Sequence, residues 1–482
     1  LLTRAYQTNA LLFGEMSRKS GELALIHHLK VAKEVARFGF DVPVVTAALL
    51  HDLVEDTNYG LEDGDEDLPF VQQREKKLQA LREDFGDEIA GLVDAVAEQP
   101  KWDENGELLE KDLPTYIKLW QTKQDYREAF YIKFADRLHN LYDRKSMSEQ
   151  KMLTKANETQ RYLMPLARAI YANEPYYKLG DLCKEIINPQ KYKELKQLLK
   201  REKMRNRSTI EAMENQLRLV LQQDPGQIDQ RMAELRQRVK SVLFTQPTPF
   251  MVYDELDPLG EQEISLEATS KRQRFTMRHI FVMFLDGTEP AEMKELFMTA
   301  FRKELFKHFA IVSIQTAKRT GMPDCFTLQD HSKAKNQYKL YLVTDDMYSQ
   351  YCFGIPKAVK LPVVNPDPLQ AKPMITIYKH DKSATKIERG ATVLDFAFLL
   401  HDKIGLYTKE AVTNGNRCTN LQTMLNNGDH VTIVSDYSKG SDIMDHMAPY
   451  ATLDWFLWTT TYLAHKKLVA YFKAQETGTE PA

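Results

Sequence analysis

The stretch Leu49-Leu50-His51-Asp52-Leu53-Val54-Glu55-Asp56-Thr57 constrains this chain more than any other. Apolar residues recur at helical spacing from Val44 to Leu53, which predicts a buried helix ending near Thr57. Residues four apart on a helix lie one above the other, so Glu55 is expected over His51 and Asp56 over Asp52. An imidazole and three carboxylates would then share one end of an apolar element. Grouping carboxylates this way is costly unless a cation compensates them. A solvated helix end carrying ordinary surface acids is the alternative reading.

Two further stretches bear on that choice. Upstream lie Arg18-Lys19-Ser20-Gly21-Glu22 and Leu25-Ile26-His27-His28-Leu29, leading into a helical run from Val31 to Phe38. His27 precedes His51 by 24 residues, room for one helix to run out, turn at Gly39-Phe40-Asp41 and return. Downstream, 84 residues after Asp52, Asp136 lies in Tyr131-Ile132-Lys133-Phe134-Ala135-Asp136-Arg137-Leu138-His139-Asn140. Ile132, Ala135, Leu138 and Leu141 make a helical stripe there, with Asp136 and Asn140 four apart beside it. By itself His27 reads equally as a satisfied core histidine. The order His, His-Asp, Asp on three helices resembles the ligand set of the HD phosphohydrolase superfamily. Mixed imidazole and carboxylate ligands suit a divalent transition metal.

The resemblance narrows further. The run from Arg18 to Val31, the run Ala47 to Thr57 and the run Ile132 to Leu141 are similar to three signatures of the hydrolase domain in long RelA/SpoT homologues, the stringent-response enzymes. That resemblance implies His27, His51, Asp52 and Asp136 as ligands of one metal ion, usually manganese in the family. Such an ion polarises a phosphoryl oxygen and lowers the pKa of a nearby water. Glu55 and Asp56 match the pair that separates the alarmone hydrolases from other HD enzymes, and a carboxylate there can take a proton from the attacking water. Arg18, Lys19 and Ser20 are implied in holding the nucleotide: the arginine plane against guanine, the lysine against phosphate. Asn140 would face the ribose or base, and His28, where the family usually has proline, is given no role. Plain alternatives are a solvated helix end for Glu55-Asp56 and a solvated basic turn for Arg18-Lys19-Ser20.

Two features depart from the family pattern. Tyr59-Gly60-Leu61-Glu62-Asp63-Gly64-Asp65-Glu66-Asp67 inserts an acidic segment near the expected site, where the family has a shorter link. It lacks the spacing and terminal Glu of a calcium loop and is expected to be a solvated loop. After Leu92-Val93-Asp94-Ala95-Val96, the usual Thr-Lys-Leu becomes Glu98-Gln99-Pro100, which alters one wall of the pocket.

Length bears on the remainder: 482 residues suggest roughly three domains. The expected architecture is multidomain: an all-α HD-type hydrolase domain over 1–200, a helical linker and α/β domain over 201–372, a β-grasp TGS domain over 373–437 and a helical segment over 438–482. Ile210 to Leu221 and Ile228 to Phe244 read as amphipathic helices. His279–Leu285, Ala310–Gln315 and Tyr338–Thr344 read as strands, and Glu292–Phe306 as a helix. In two-headed family members this slot holds the alarmone synthetase. Pro249-Phe250-Met251-Val252-Tyr253-Asp254-Glu255 and Lys339-Leu340-Tyr341-Leu342-Val343 lack the clustered cations and Glu-x-Gln strand that triphosphate chemistry needs, so a domain with its fold kept and its chemistry lost is expected. Ile375–Tyr378, Gly390–Ala397 and Asn427–Ile433 resemble the TGS module. Leu399-Leu400-His401-Asp402 repeats the site string without its partners and is read as a decoy.

The formal net charge of −3 gives no global field for nucleic acid. Four scattered cysteines (Cys183, Cys325, Cys352, Cys418) have no metal spacing and suit a reducing cytoplasm. Trp455 to Phe472 is too interrupted by Thr459-Thr460-Thr461 and His465-Lys466-Lys467 to span a membrane. The chain opens on Leu1 rather than Met, so some N-terminal sequence is expected to precede it. The expected function is hydrolysis of guanosine tetra- or pentaphosphate at the 3′-pyrophosphate, with a regulatory protein or ribosome met through the TGS domain. A silent alarmone-binding regulator and an HD phosphohydrolase for another nucleotide are the alternatives.

Overall fold

A computed structural model describes residues 1–98, 118–119, 126–144, 147–208, 210–212, 214–215, 230–256, 276–301, 309–316, 323–331, 336–354, 374–437, 449–452, 455–461, 463–464, 467–468 and 470–471. In chain order the N-terminal helices are α1 (Leu2–Phe13), α2 (Ala24–Arg37), α3 (Val42–Leu49), α4 (Leu53–Asp56), α5 (Phe70–Phe85), α6 (Asp87–Val96), α7 (Ala129–Tyr142), α8 (Glu149–Glu158), α9 (Met164–Ala169), α10 (Asn173–Ile187) and α11 (Pro189–Arg205). Then come α12 (Gln230–Gln237), β1 (Val239–Thr245), α13 (Pro249–Leu256), β2 (Thr276–Phe284), α14 (Pro290–Leu296), β3 (Phe309–Gln315), β4 (Cys325–Asp330), β5 (Gln337–Thr344) and α15 (Asp345–Phe353). The last stretch holds β6 (Met374–Tyr378), β7 (Ala384–Glu388), α16 (Val393–Leu400), α17 (Asp402–Leu406), β8 (Thr408–Thr413), β9 (Asn416–Cys418), β10 (Val431–Ser435) and α18 (Trp455–Trp458). No helix among the described residues is long and apolar enough to cross a membrane.

Internal contacts divide the chain into two compact units: Leu1–Asn9, Thr46–Ile132 and Leu361–Ala482 in one, Ala10–Val45 and Lys133–Lys360 in the other. In the second, α2 buries His27, His28, Val31, Ala32 and Val35 along one face. Its far end is tied to α10 by charge. Glu34 lies 3.1 Å from Lys178 and 2.8 Å from Arg37, and Arg37 reaches Glu174 at 2.6 Å. Burial raises the Glu34 pKa, but Arg37 and Lys178 more than offset it and bring the carboxyl to about 2. The helix that carries His27 is therefore anchored at its opposite end.

The same unit holds a five-stranded sheet in the order β1-β2-β5-β4-β3, with β2 and β5 parallel and the other pairs antiparallel. Ile280, Phe284, Phe326, Tyr338, Leu340 and Val343 are buried in its core. Two sequence expectations need correction here. Ile228–Phe244 is not one helix, because α12 ends at Gln237 and Val239–Thr245 pairs with β2 as an edge strand. Val239, Val242 and Thr245 are β-branched, and tertiary pairing overrides the helical pattern carried in from α12. Cys325–Asp330 is a strand that the sequence reading did not assign. The expected helices continuing to Leu221 and Phe306 lie in part outside the described residues.

In the first unit the C-terminal module pairs β6 with β7 and sets β8 between β10 and β9. The module matches the expected TGS layout, with a β-turn at Gly428 (φ +94°) before β10. Thr392 caps α16 in a reciprocal box with Asp395. Asp395 is buried and also accepts from the backbone N–H and hydroxyl groups of Thr460 and Thr461, at 2.9–3.0 Å. The threonines that interrupt the last apolar run thus dock that segment onto α16. Asp395→Asn presents an amide to these donors and should lower the unfolding free energy by about 2–4 kcal/mol. Thermal denaturation followed by tryptophan fluorescence measures this, and an unchanged midpoint would show that the network carries no stability. The repeated His401-Asp402 string serves structure: His401 Nδ1 accepts from the Lys403 N–H to cap α17, and Asp402 pairs with Lys467 at 2.5 Å.

Candidate active site

The expected single helix through His51 is interrupted. α3 ends at Leu49, residues 50–52 form a turn, and α4 begins at Leu53. This corrects the straight stacking of Glu55 over His51. The turn has a chemical consequence, because His51 Nδ1 lies 2.9 Å from the Ala48 carbonyl. A carbonyl only accepts, so Nδ1 carries the proton and Nε2 keeps its lone pair. That Nε2 lies 3.1 Å from Asp52 Oδ1.

α2 and α7 supply the other half. His27 Nε2 lies 3.3 Å from Asp136 Oδ1, which also accepts from Asn140 Nδ2 at 2.7 Å. Asn140 Oδ1 in turn accepts from the Arg18 guanidinium at 2.5 Å. Arg18 reaches this position because Arg18-Lys19-Ser20-Gly21 is a turn, closed by Gly21 N–H to the Arg18 carbonyl at 2.9 Å. Gly21 sits at φ +85°, where a side chain would be strained. Ser20 is half-buried and Lys19 exposed. His28 packs edge-on against Phe13 with ring centroids 4.5 Å apart, a core contact.

One donor atom each from His27, His51 and Asp136 lie within 4.8 Å of one another, and all three residues are buried. Two imidazoles and a carboxylate brought together out of water are the donor set of a divalent transition metal, and such a group is costly to bury uncompensated. The chain's residues fit the ion. Asp52 is not in this trio but adjoins it through His51.

Beyond Asp52, Glu55 Oε1 accepts from the Glu98 backbone N–H at 2.7 Å. The altered wall therefore still contributes through its main chain at Glu98; Gln99 and Pro100 lie outside the described residues. Asp56 is exposed at its edge. Protein atoms crowding its carboxyl nevertheless raise its pKa, the Asp52 carboxylate raises it further, and His51 and Lys77 oppose. A set of cations that sequence reasoning missed surrounds the pair. Arg74 reaches Asp94 at 2.5 Å and the Glu98 carbonyl at 3.1 Å, Lys118 reaches Asp94 at 3.0 Å, and Lys77 donates to the Val54 carbonyl at 3.1 Å. No motif marks these residues; in sequence they lie 18 or more positions beyond the pair.

In the middle sheet, Glu255 on α13 pairs with Lys339 at 2.8 Å and accepts from Thr276 N–H at 3.1 Å and hydroxyl at 2.7 Å. Burial raises its pKa, yet Lys339 and Thr276 bring it below the usual range. His279 beside it is buried, which lowers its pKa to about 4 and keeps it neutral.

A family model described as the HD domain matches residues 5–170, and one described as the TGS domain matches residues 375–435. Over 98% of its length the chain is 24% identical to a Streptomyces coelicolor protein named GTP pyrophosphokinase, and 22% identical to a Synechocystis protein named probable guanosine-3′,5′-bis(diphosphate) 3′-pyrophosphohydrolase. It spans 56% and 60% of those proteins. Over 41% of the chain it is 33% identical to the Mycobacterium tuberculosis protein named bifunctional (p)ppGpp synthase/hydrolase RelA, covering 24% of it.

Proposed function

We propose that the chain, matched by an HD-domain model over residues 5–170 and a TGS-domain model over 375–435 and similar along 98% of its length to proteins named as RelA/SpoT-type enzymes, hydrolyses (p)ppGpp, releasing the 3′-pyrophosphate and leaving GDP or GTP. The observation that carries this reading is the buried His27–His51–Asp136 cluster with Glu55 and Asp56 a few residues past its His51 member. The divalent ion, taken as one manganese held by His27, His51, Asp52 and Asp136, would supply Lewis acidity toward the phosphoryl group.

The chain's own residues divide the remaining work. Asn140 fixes Asp136 and meets Arg18, so one hydrogen-bond relay links the ligand carboxylate to the nucleotide side of the site. Arg18 offers a plane for the guanine base, Lys19 charge for phosphate, and Ser20 a hydroxyl. A carboxylate of the Glu55–Asp56 pair takes a proton from the attacking water as its oxygen bonds to phosphorus; the bond from phosphorus to the ribose 3′ oxygen breaks, and that proton passes to the 3′ oxygen to leave a hydroxyl.

The middle domain makes no alarmone in this reading. Phosphoryl transfer from a triphosphate requires open cations and a carboxylate-held metal, whereas Glu255 is already occupied by Lys339 and Thr276. The domain division 1–200, 201–372, 373–437 and 438–482 is retained, with a regulatory protein or ribosome as the TGS partner and the cytoplasm as the place of action.

The test uses the full chain with manganese and ppGpp, products being separated by anion exchange. GDP and pyrophosphate are expected. A metal-loaded chain that binds ppGpp without turnover would be a silent regulator, and cleavage of other nucleotides with ppGpp spared would point to a different HD phosphohydrolase. With ATP and GDP, and His51→Ala present so that product survives, no ppGpp should accumulate; its accumulation would make the chain two-headed.

A further inference from the structure

The acidic insertion keeps most of its charges in solvent, as expected, but is tied down at particular points. Asp65 is buried, accepting from Glu62 N–H at 2.9 Å and from Lys76 at 2.7 Å. Gln73 donates to the carbonyls of Glu66 and Leu68 at 3.0 and 2.8 Å, and Tyr59 donates to Asp84. Gly60 (φ +75°) lies so close to α5 that a Cβ there would stand 2.5 Å from that of Ala80. The segment thus folds back on α5 and fixes which face of that helix turns inward.

That face presents Lys77 together with Leu78 and Leu81, all buried. The Lys77 ammonium donates to the Val54 carbonyl at 3.1 Å, while the Thr57 hydroxyl donates to the neighbouring Leu53 carbonyl at 2.7 Å. α4 has only four residues, so these two bonds hold carbonyls that a helix this short cannot satisfy internally. Removing an ammonium from water costs several kcal/mol. A hydrogen bond to one neutral carbonyl returns about 1.5–3 kcal/mol, and a leucine at this position would cost nothing comparable. The Asp56 carboxyl, exposed at the end of α4, favours the Lys77 charge in part.

We propose that Lys77 is a positioning residue: delivered by the insertion, it pins α4 through the Val54 carbonyl and holds the Glu55–Asp56 turn in the geometry that turnover requires. This rests on the hydrolase reading. The full chain carrying Lys77→Met, Lys77→Gln or Lys77→Arg is assayed with manganese and ppGpp, alongside metal content and thermal midpoint. In Lys77→Met, kcat should fall by about tenfold to a hundredfold, the range for misplaced groups, with KM and bound manganese unchanged. Lys77→Arg should recover most of the loss; Lys77→Gln, which keeps a donor without charge, should not. If Lys77→Met does not fold, the Gln and Arg pair makes the same comparison. Unchanged kcat in the Met or Gln variant overturns the inference, as does a kcat loss that merely tracks lost metal or lost folded protein. Absence of turnover in the unaltered chain would instead overturn the hydrolase reading, and this inference with it.

Discussion

His51→Ala and Asp136→Ala should each abolish both bound manganese and ppGpp turnover. Either change removes one donor from a buried trio whose atoms lie within 4.8 Å of one another, leaving two of the trio with Asp52 as the only other proposed ligand. Losing even an outer partner of a metal ligand costs about 10–100-fold in affinity or activity, so losing a ligand should leave no stoichiometric ion at micromolar metal. The two variants differ in their neighbours. Removal of His51 frees the Asp52 carboxylate, 3.1 Å away, whereas removal of Asp136 strips Asn140 and Arg18 of the group they converge on. Asp136→Ala should therefore also weaken nucleotide binding in the absence of metal, and His51→Ala should not. Elemental analysis, turnover and equilibrium binding of ppGpp separate these outcomes. A variant that lost its ion yet turned over ppGpp normally would sink the ligand assignment.

How much of this was legible in the sequence depends on the range of each interaction. The three stretches that carry the proposed ligands were legible because each is a local pattern: an apolar stripe at helical spacing with a polar residue on a fixed offset. The break at residues 50–52 was not, because the hydrogen bond from His51 Nδ1 to the Ala48 carbonyl competes with helix continuation without changing the pattern. The exposure of most of residues 59–67 was legible because charge density is a local signal, whereas the ties of Asp65 to Lys76 and of Tyr59 to Asp84 were not, because those partners lie on α5. Lys77, Arg74 and Lys118 were invisible for the same reason. β1 was hidden by its place at the sheet edge, where most of its residues are only partly covered and no alternation marks it. The proposed lack of synthetase chemistry in the middle domain, by contrast, rests on residue types, and the Glu255–Lys339 pair at 2.8 Å is in keeping with it.

Glu55→Gln with Asp56→Asn should slow turnover by on the order of a hundredfold or more, the range for a lost general base, while manganese and ppGpp still bind. The argument turns on what an amide keeps. Gln at 55 retains a carbonyl that can accept from the Glu98 N–H, so the wall contact at 2.7 Å survives. Asn at 56 keeps the side-chain shape, and α4 keeps its Leu53 and Val54 contacts to Thr57 and Lys77. What is lost is basicity, together with the charge that compensates the Lys77 ammonium. The single variants divide the role. Glu55 is engaged by the Glu98 backbone N–H at 2.7 Å, whereas the Asp56 carboxyl sits exposed at the edge of the site. Asp56→Asn should accordingly carry the larger share of the kcat loss and Glu55→Gln the smaller. Unchanged turnover with collapsed affinity in the double variant would make both residues substrate ligands. A larger loss from Glu55→Gln alone would transfer the base to Glu55 and leave Asp56 as the residue that tunes it.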